Sequence, residues 1–303
     1  MALVANAQAG ALLGQKGTTL EDALRKLGRP LHIIPHEVGT LPERIARACS
    51  TGAAMVVVAG GDGTIACAAA ALAGTGMVLG VIPCGTMNLL ARDLHIDPAD
   101  LEAALHVLAA GRARDIDVGE VSSEEQESHV FLCASMLGTP ARLSRHREAG
   151  RQHGNGVLGW AIFAWAALRA LLQNRSMKLT LRCNGQERQC RTPSLTVTVN
   201  KLDDAAGRLF GRSVLHGGVL SVYLVRRSSV FAQALLLLRT AITGSLHAPE
   251  IEVIETTDLV VDCAGSALHV LVDGELRLMK PPVRYRIRPR ALRVMAPVAD
   301  TES

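Results

Sequence analysis

The chain has 303 residues, of which 49% are hydrophobic and 20% charged, and its formal net charge is +4. That length and apolar content argue against disorder and for one large folded domain or two ordinary ones. The charge is too small by itself to indicate nucleic acid, and seven scattered cysteines without a C-x-x-C pair argue against a zinc site or a disulfide framework. With aromatics at only 3%, the core must be built from Ala, Val, Leu and Ile.

In chain order, "ALVAN" reads as a short strand followed by a Gly-containing loop, with no signal peptide at its start. "TTLEDALRKLG" reads as a helix capped by Thr18 or Thr19 and stopped at Gly28. "LHIIP" is strand-like, and "LPERIARACSTG" is helical with Pro42 in the first turn. "AMVVVAGG" is a buried strand, "TIACAAAALAG" a helix and "VLGVIPCG" a strand again. "PADLEAALHVLAAG" is a helix entered through Pro98. Residues 63–91 carry no charge, but glycines and Pro83 interrupt them too often for a spanning helix, so they read as buried core. Such β-α-β-α alternation predicts a parallel sheet flanked by helices.

Near Arg114 the pattern changes. "RDIDVGEV" is strand-like and "SSEEQES" reads as a polar loop. Strands then dominate: "HVFLCAS", "MKLTLRCNG", "ERQCRTPSLTVTVNK", "GVLSVYLVRR", "EIEVIET", "LVVDCAG", "LHVLVDGE" and "VRYRIRP". Two helical stretches interrupt them, "GVLGWAIFAWAALRALLQ" and "VFAQALLLLRTAIT". The expected organisation is an α/β parallel-sheet nucleotide-binding domain over residues 1–118, then an antiparallel β-sandwich domain over 119–303. The last strands are free to return to the first domain.

The chemistry is concentrated in "VVVAGGDGTIACAAA". A strand runs into Gly60 and Gly61, then Asp62, Gly63 and Thr64, then a helix through Ile65 and Ala66. Glycines let backbone N–H groups approach a ligand, and a helix start offers free N–H groups and a positive dipole end. Together they suit a phosphate. Asp62 is the misfit, because a carboxylate repels phosphate. It fits if Mg²⁺ lies between them, if it orients a hydroxyl, or if the loop is merely a turn with Asp62 as helix cap. A second loop of the same kind, "GVIPCGTMN", carries Gly85, Thr86 and Asn88. A third, "ANAQAG", carries Asn6, Ala7, Gln8, Ala9 and Gly10. All three follow strands, where ligands bind in parallel sheets. No Walker A loop or dinucleotide fingerprint is present.

"GGDGT" followed by "GVIPCGTMNLLARDL", "RDIDVGEV" and "VDGE" resembles the diacylglycerol kinase catalytic-domain family, which includes bacterial lipid kinases and sphingosine kinases. The resemblance covers nearly the whole chain. It implies a nucleotide domain, a β-sandwich and a cleft site. It further implies ATP contacts from residues 6–10, residues 60–66 and Thr86, and Glu275 as proton acceptor for a lipid hydroxyl. Three departures stand out: "NAQAG" lacks the family's Pro and Ser, Leu89 replaces an acid, and Gly217 replaces the aspartate that holds a structural Mg²⁺ in many bacterial members.

"VDGE" has two readings. Asp273 and Glu275 are two apart and would share one side of an extended chain, yet D-G between apolar runs is also a hairpin turn. With the resemblance, Glu275 reads as base, and Asp273 as its helper or an ATP–Mg²⁺ contact, with Asp62 touching metal through ATP–Mg²⁺. Asp117 reads as structural. The ten histidines show no metal spacing, and no G-x-S-x-G elbow occurs. The basic segment 142–154 precedes an apolar run with Trp160, Phe163 and Trp165. It reads equally as a bilayer-surface element or as a loop before a core helix. The expected protein is a cytoplasmic ATP-dependent lipid kinase, peripheral at the inner membrane face where it meets its substrate, with ATP and Mg²⁺ and without nucleic acid. An NAD kinase-like enzyme and a homologue with weakened catalysis are the alternatives.

Overall fold

A computed structural model of the chain describes residues 1–6, 20–124, 126–141, 176–203, 210–226, 250–265 and 267–298. The chain divides into two compact units, Met1–Val118 with Arg288–Ser303, and Gly119–Ile287. The proposed Thr18 or Thr19 cap, the loop residues Ala7, Gln8, Ala9 and Gly10, the basic segment 142–154 with its following apolar run, and the 230–243 helix lie outside the described residues.

The first unit is built on parallel strands β1 (Ala2–Ala5), β2 (His32–Ile33), β3 (Met55–Gly60) and β4 (Val78–Pro83), in the order β2-β1-β3-β4. Every residue of β3 is buried, which explains its unbroken apolar run. Among the described residues, five α-helices accompany them: α1 (Leu20–Arg25), α2 (Leu41–Cys49), α3 (Asp62–Leu72), α4 (Leu89–Asp93) and α5 (Leu101–Ala110). In α3 the buried set Ile65, Ala68, Ala69 and Leu72 follows the i, i+3, i+4, i+7 rule. Pro42 does lie in the first turn of α2, where the Thr40 N–H donates to Glu43 at 2.7 Å. Two details differ from the sequence reading. Helix α3 begins at Asp62 with Gly61 as its cap, so Asp62 is not the cap residue. Helix α5 is capped by Asp100, which accepts from the Ala103 N–H, because a carboxylate beside the free N–H groups outweighs the distant Pro98.

The second unit packs two sheets face to face. One has the order β12-β11-β10-β7-β14-β15, formed by β7 (Ala134–Gly138), β10 (Ser194–Val199), β11 (Leu220–Val225), β12 (Ile251–Thr256), β14 (Leu268–Val272) and β15 (Glu275–Met279). All its pairings are antiparallel. Opposite lie β8 (Met177–Cys183), β9 (Gln186–Thr192), β13 (Asp258–Asp262) and the hairpin of β5 (Arg112–Ser123) with β6 (Gln126–Phe131). The start of β16 (Val283–Ala296) completes them. Phe131, Leu179, Leu181, Val261 and Tyr285 from these strands share one core with Leu137, Leu195, Val197, Val222 and Val270 from the other sheet. Phe131 and Tyr285 meet edge to face at 6.2 Å, and the Tyr285 hydroxyl lies 3.1 Å from that of Ser135.

Three stretches read as continuous or unstructured are resolved differently. "HVFLCAS" breaks at Leu132 and Cys133 between β6 and β7, and "ERQCRTPSLTVTVNK" breaks at Pro193, which has no N–H for a ladder. "SSEEQES" is a tight hairpin with Ser123 opposite Gln126, not a loop. Two strands run through both units. β5 begins in the first and ends in the second, and β16 returns so that Arg293 and Val294 pair in parallel with Val78 and Leu79 of β4. Within the first unit, the buried Asp117 carboxylate of β5 accepts from the Arg290 N–H of β16 at 2.8 Å.

At Gly119 an added Cβ would fall 2.2 Å from the Phe131 ring. Gly119→Ala should therefore lower stability by about 1–3 kcal/mol in urea titration. On β9 and β12, Arg188 grips Glu252 through two bonds of 2.5 and 2.8 Å, tying one sheet to the other. The bond from Arg188 holds the Glu252 carboxyl below its usual range. A depressed carboxyl contributes stability above its unfolded value and loses it as pH falls through the folded one. Glu252→Gln should therefore cost under about 1 kcal/mol at neutral pH and flatten the acid limb of a stability-versus-pH curve.

Candidate active site

In the first unit two glycine loops sit side by side at the carboxyl ends of β3 and β4. Gly61 and Gly85 touch through their backbones: a Cβ on Gly85 would lie 2.6 Å from the Gly61 Cα. Gly60 has a different reason, since a Cβ there would strike the buried Thr64 side chain at 2.6 Å. Asp62 holds the pair together. Its two carboxylate oxygens accept from the N–H groups of Asn88, at 2.9 Å, and Leu89, at 2.6 Å. It thus caps the start of α4 from another loop. Asn88, buried and left-handed at φ 48°, folds its own turn by accepting from the Gly85 N–H and donating to the Gly85 carbonyl.

Gly63 is the glycine left over. It is exposed, sits in the first turn of α3 and would meet nothing within 4 Å if it carried a Cβ. A helical glycine costs about 1 kcal/mol relative to alanine, so packing alone does not account for it. The cap residue of α3, Gly61, has no side chain to bond the helix's first N–H groups. These N–H groups, the open space over Gly63, and the exposed Gly85 and Thr86 form a surface that fits an anion such as a phosphate. Ile65 and Ala66 are placed differently. Ile65 is core, donating its N–H to the Gly61 carbonyl, and Ala66 lies half-buried one turn along. Asn6 extends β1 by donating its N–H to the Ala59 carbonyl. Beside it is Arg44, which no sequence pattern marks: it is 4% exposed and donates to the Ala5 carbonyl, and its Nε has no partner among the described residues. Burial lowers its pKa.

In the second unit, Asp273 and Gly274 form the two-residue turn between β14 and β15, both at positive φ (43° and 89°). The turn reading of D-G therefore holds locally, and the expectation that Asp273 and Glu275 share one side of an extended chain does not. Asp273 turns inward, where its carboxylate accepts from the N–H groups of Leu132, Cys133 and Ala134 at 2.6, 3.0 and 3.0 Å. Its own N–H donates to the Ala134 carbonyl. The residue is half-buried but its carboxylate is enclosed. Burial holds its pKa above the usual carboxylate range, against the opposing pull of the three N–H groups and, last, of the Arg212 charge. Glu275 points outward with a side chain 60% exposed and bonded to Arg277 at 2.8 Å. His129, read from the sequence as merely local, feels the charges of both. Burial first, then Arg277, keeps it below the usual histidine range.

Among the described residues, no group of three His, Cys, Asp or Glu is placed to hold a metal. The structural Mg²⁺ site that the resemblance implies does not fit here: Gly217 stands at the expected acidic position, and a Cβ there would fall 2.9 Å from the Asn200 Oδ1. No described helix is long and apolar enough to cross a membrane.

Comparison with known proteins bears on both units. Residues 1–121 match the model of the diacylglycerol kinase catalytic domain, and residues 136–296 that of the YegS C-terminal NAD kinase beta sandwich-like domain. A protein named diacylglycerol kinase from Mycobacterium tuberculosis is 26% identical over 84% of this chain and 80% of its own. A probable lipid kinase YegS-like from Cronobacter sakazakii is 39% identical over 33% of this chain and 35% of its own. A crystal structure of a putative diacylglycerol kinase from Bacillus anthracis covers 98% of this chain and 95% of its own with TM-score 0.74 at 18% identity, a likeness of fold. With both of its domains matched in order, the chain belongs to the diacylglycerol kinase and YegS-like family of lipid kinases.

Proposed function

We propose that the protein transfers the γ-phosphoryl group of ATP to the hydroxyl of a diacylglycerol-like lipid. The observation that carries this reading is Gly63, a helix-start glycine that no packing requires, beside two loops locked together by Asp62. In this reading the backbone N–H groups at the start of α3, with Gly85 and Thr86, bind the nucleotide's phosphates. Residues 6–10 complete the nucleotide contacts. Mg²⁺ bound with ATP would supply neutralisation of the phosphate charge. Asp62 acts by holding the second loop in place, with any metal contact made through the nucleotide. Glu275 takes the proton of the attacking hydroxyl, Arg277 fixes its direction, and Asp273 fixes the turn on which it stands. The solvent access of Glu275 suits a base that must reach a lipid held at a membrane surface.

The test is transfer from labelled ATP to a panel of diacylglycerol, sphingoid, glycerolipid and NAD acceptors. Lipid phosphorylation is expected, and transfer to NAD alone would overturn the proposal. ATP binding without transfer to any acceptor would instead support a homologue that has lost catalysis. Glu275→Gln should lower kcat by about 10²–10⁴-fold with ATP affinity retained. Gly63→Ala should leave the melting temperature unchanged or raised, since Ala favours a helix, while weakening ATP binding at least several-fold. Equal ATP affinity in Gly63→Ala would move the phosphate elsewhere.

A further inference from the structure

The second unit contains a charge that neither the sequence pattern nor the proposed reaction uses. Arg212 is 2% exposed, one of the largest fully buried side chains in the protein. Its Nη1 donates to the Leu132 carbonyl at 2.5 Å and to the Val199 carbonyl at 3.1 Å. Leu132 is also the residue whose N–H is taken by Asp273. The peptide groups on either side of the Leu132 Cα are thus held from two directions, by a cation at the carbonyl and by an anion at the N–H. The charge of Arg212 favours the ionised form of Asp273, against a burial that outweighs it.

The other anchor of Arg212 leads to the segment that departs from the family. Val199 precedes Asn200, a buried residue at φ 62° whose N–H donates to the Val219 carbonyl, and whose Oδ1 lies where a side chain on Gly217 would have to go. Residues 211–219 are therefore fastened to the strand end at Val199 and Asn200 by Arg212 at one end and by Val219 at the other. Gly211 and Ser213 add bonds to Asp203, through the Asp203 N–H to the Gly211 carbonyl at 2.9 Å and from the Ser213 hydroxyl to the carboxylate at 2.7 Å. A carboxylate at position 217 would have to displace the Asn200 amide.

We infer that the guanidinium of Arg212 is the resident cation of this unit: it ties residues 211–219 to the 132–134 turn, balances Asp273, and so sets the hairpin that carries Glu275 without a divalent metal. A guanidinium suits this place because it stays charged when buried and can donate to carbonyls of separate segments, here Leu132 and Val199. A buried carboxylate with no cation nearby would be driven towards its neutral form and would lose its grip on three N–H groups at once. Arg212 is on this view a positioning residue, acting through Asp273 on Glu275. That last step rests on the role proposed for Glu275, whereas the metal independence does not.

Two measurements on the full chain separate these parts. The first is the melting temperature without nucleotide, in EDTA and again with excess Mg²⁺ or Ca²⁺. No shift is expected; a fall in EDTA that either ion restores would overturn the proposal. The second uses Arg212→Met, Arg212→Lys, Asp273→Asn and the double variant Arg212→Met with Asp273→Asn. Arg212→Met should lower the melting temperature by about 5–10 °C, because it strands a buried carboxylate. Arg212→Lys should recover part of that, and the double variant should lose less than the sum of the single losses. In the kinase assay kcat should fall about 10–100-fold in Arg212→Met while KM for ATP stays unchanged. Additive losses in the double variant, or a wild-type kcat in Arg212→Met, would overturn the coupling. If Arg212→Met does not fold, Arg212→Lys against Asp273→Asn decides the same question. If no acceptor is ever phosphorylated, the melting series still decides whether Arg212 replaces a metal, and the role of Glu275 fails separately.

Discussion

The Asp62 carboxylate, accepting from Asn88 and Leu89, is the interaction on which the first unit's two glycine loops depend. Gly61 and Gly85 can touch because neither has a side chain, but absence of a side chain allows contact without enforcing it. Enforcement comes from two charge-assisted hydrogen bonds that cross from one loop to the other. They bring the loop after β4 against the start of α3. They also place the negative charge of Asp62 on backbone donors, as the proposed phosphate site requires. The residue that looked wrong for an anion site is engaged by the protein's own N–H groups.

The same device recurs in the second unit with another acid. Asp273 gathers three N–H groups from the break between β6 and β7, as Asp62 gathers two from the break before α4. Both acids come from a D-G pair, at places where the chain leaves a strand. In each case the glycine gives the chain its turn or its open surface, and the acid fastens that turn to a distant segment. The chain thus spends its acidic residues on backbone geometry. The outward-facing Glu275, held by Arg277, is then the carboxylate of "VDGE" left free of backbone duty.

Much of the fold was legible because strong local signals agree with the tertiary outcome. The all-apolar β3 had to be buried on both faces, and the alternating strands of the second half had to have one wet face. The loops after β3 and β4 were legible from their glycines. What escaped was of two kinds. Breaks such as Leu132–Cys133 interrupt a sequence that stays apolar, so nothing local marks them. They exist because Asp273, 140 residues or so away, takes the N–H groups. Lone charged residues escaped as well. Arg44, Arg212 and His129 belong to no period or spacing, and their importance comes entirely from burial and from neighbours distant in the chain.

The path of β16 has a consequence for how the protein can be divided. Its last residues pair with β4, and without them the parallel sheet would end in a bare row of backbone donors and acceptors beside a strand rich in valine and isoleucine. A fragment stopping after residue 118 would therefore present an open, sticky edge. It would be expected to associate with itself or with another chain through that edge. The first unit is thus completed by residues made after the second, so during synthesis it must wait for the last strand before its sheet can close.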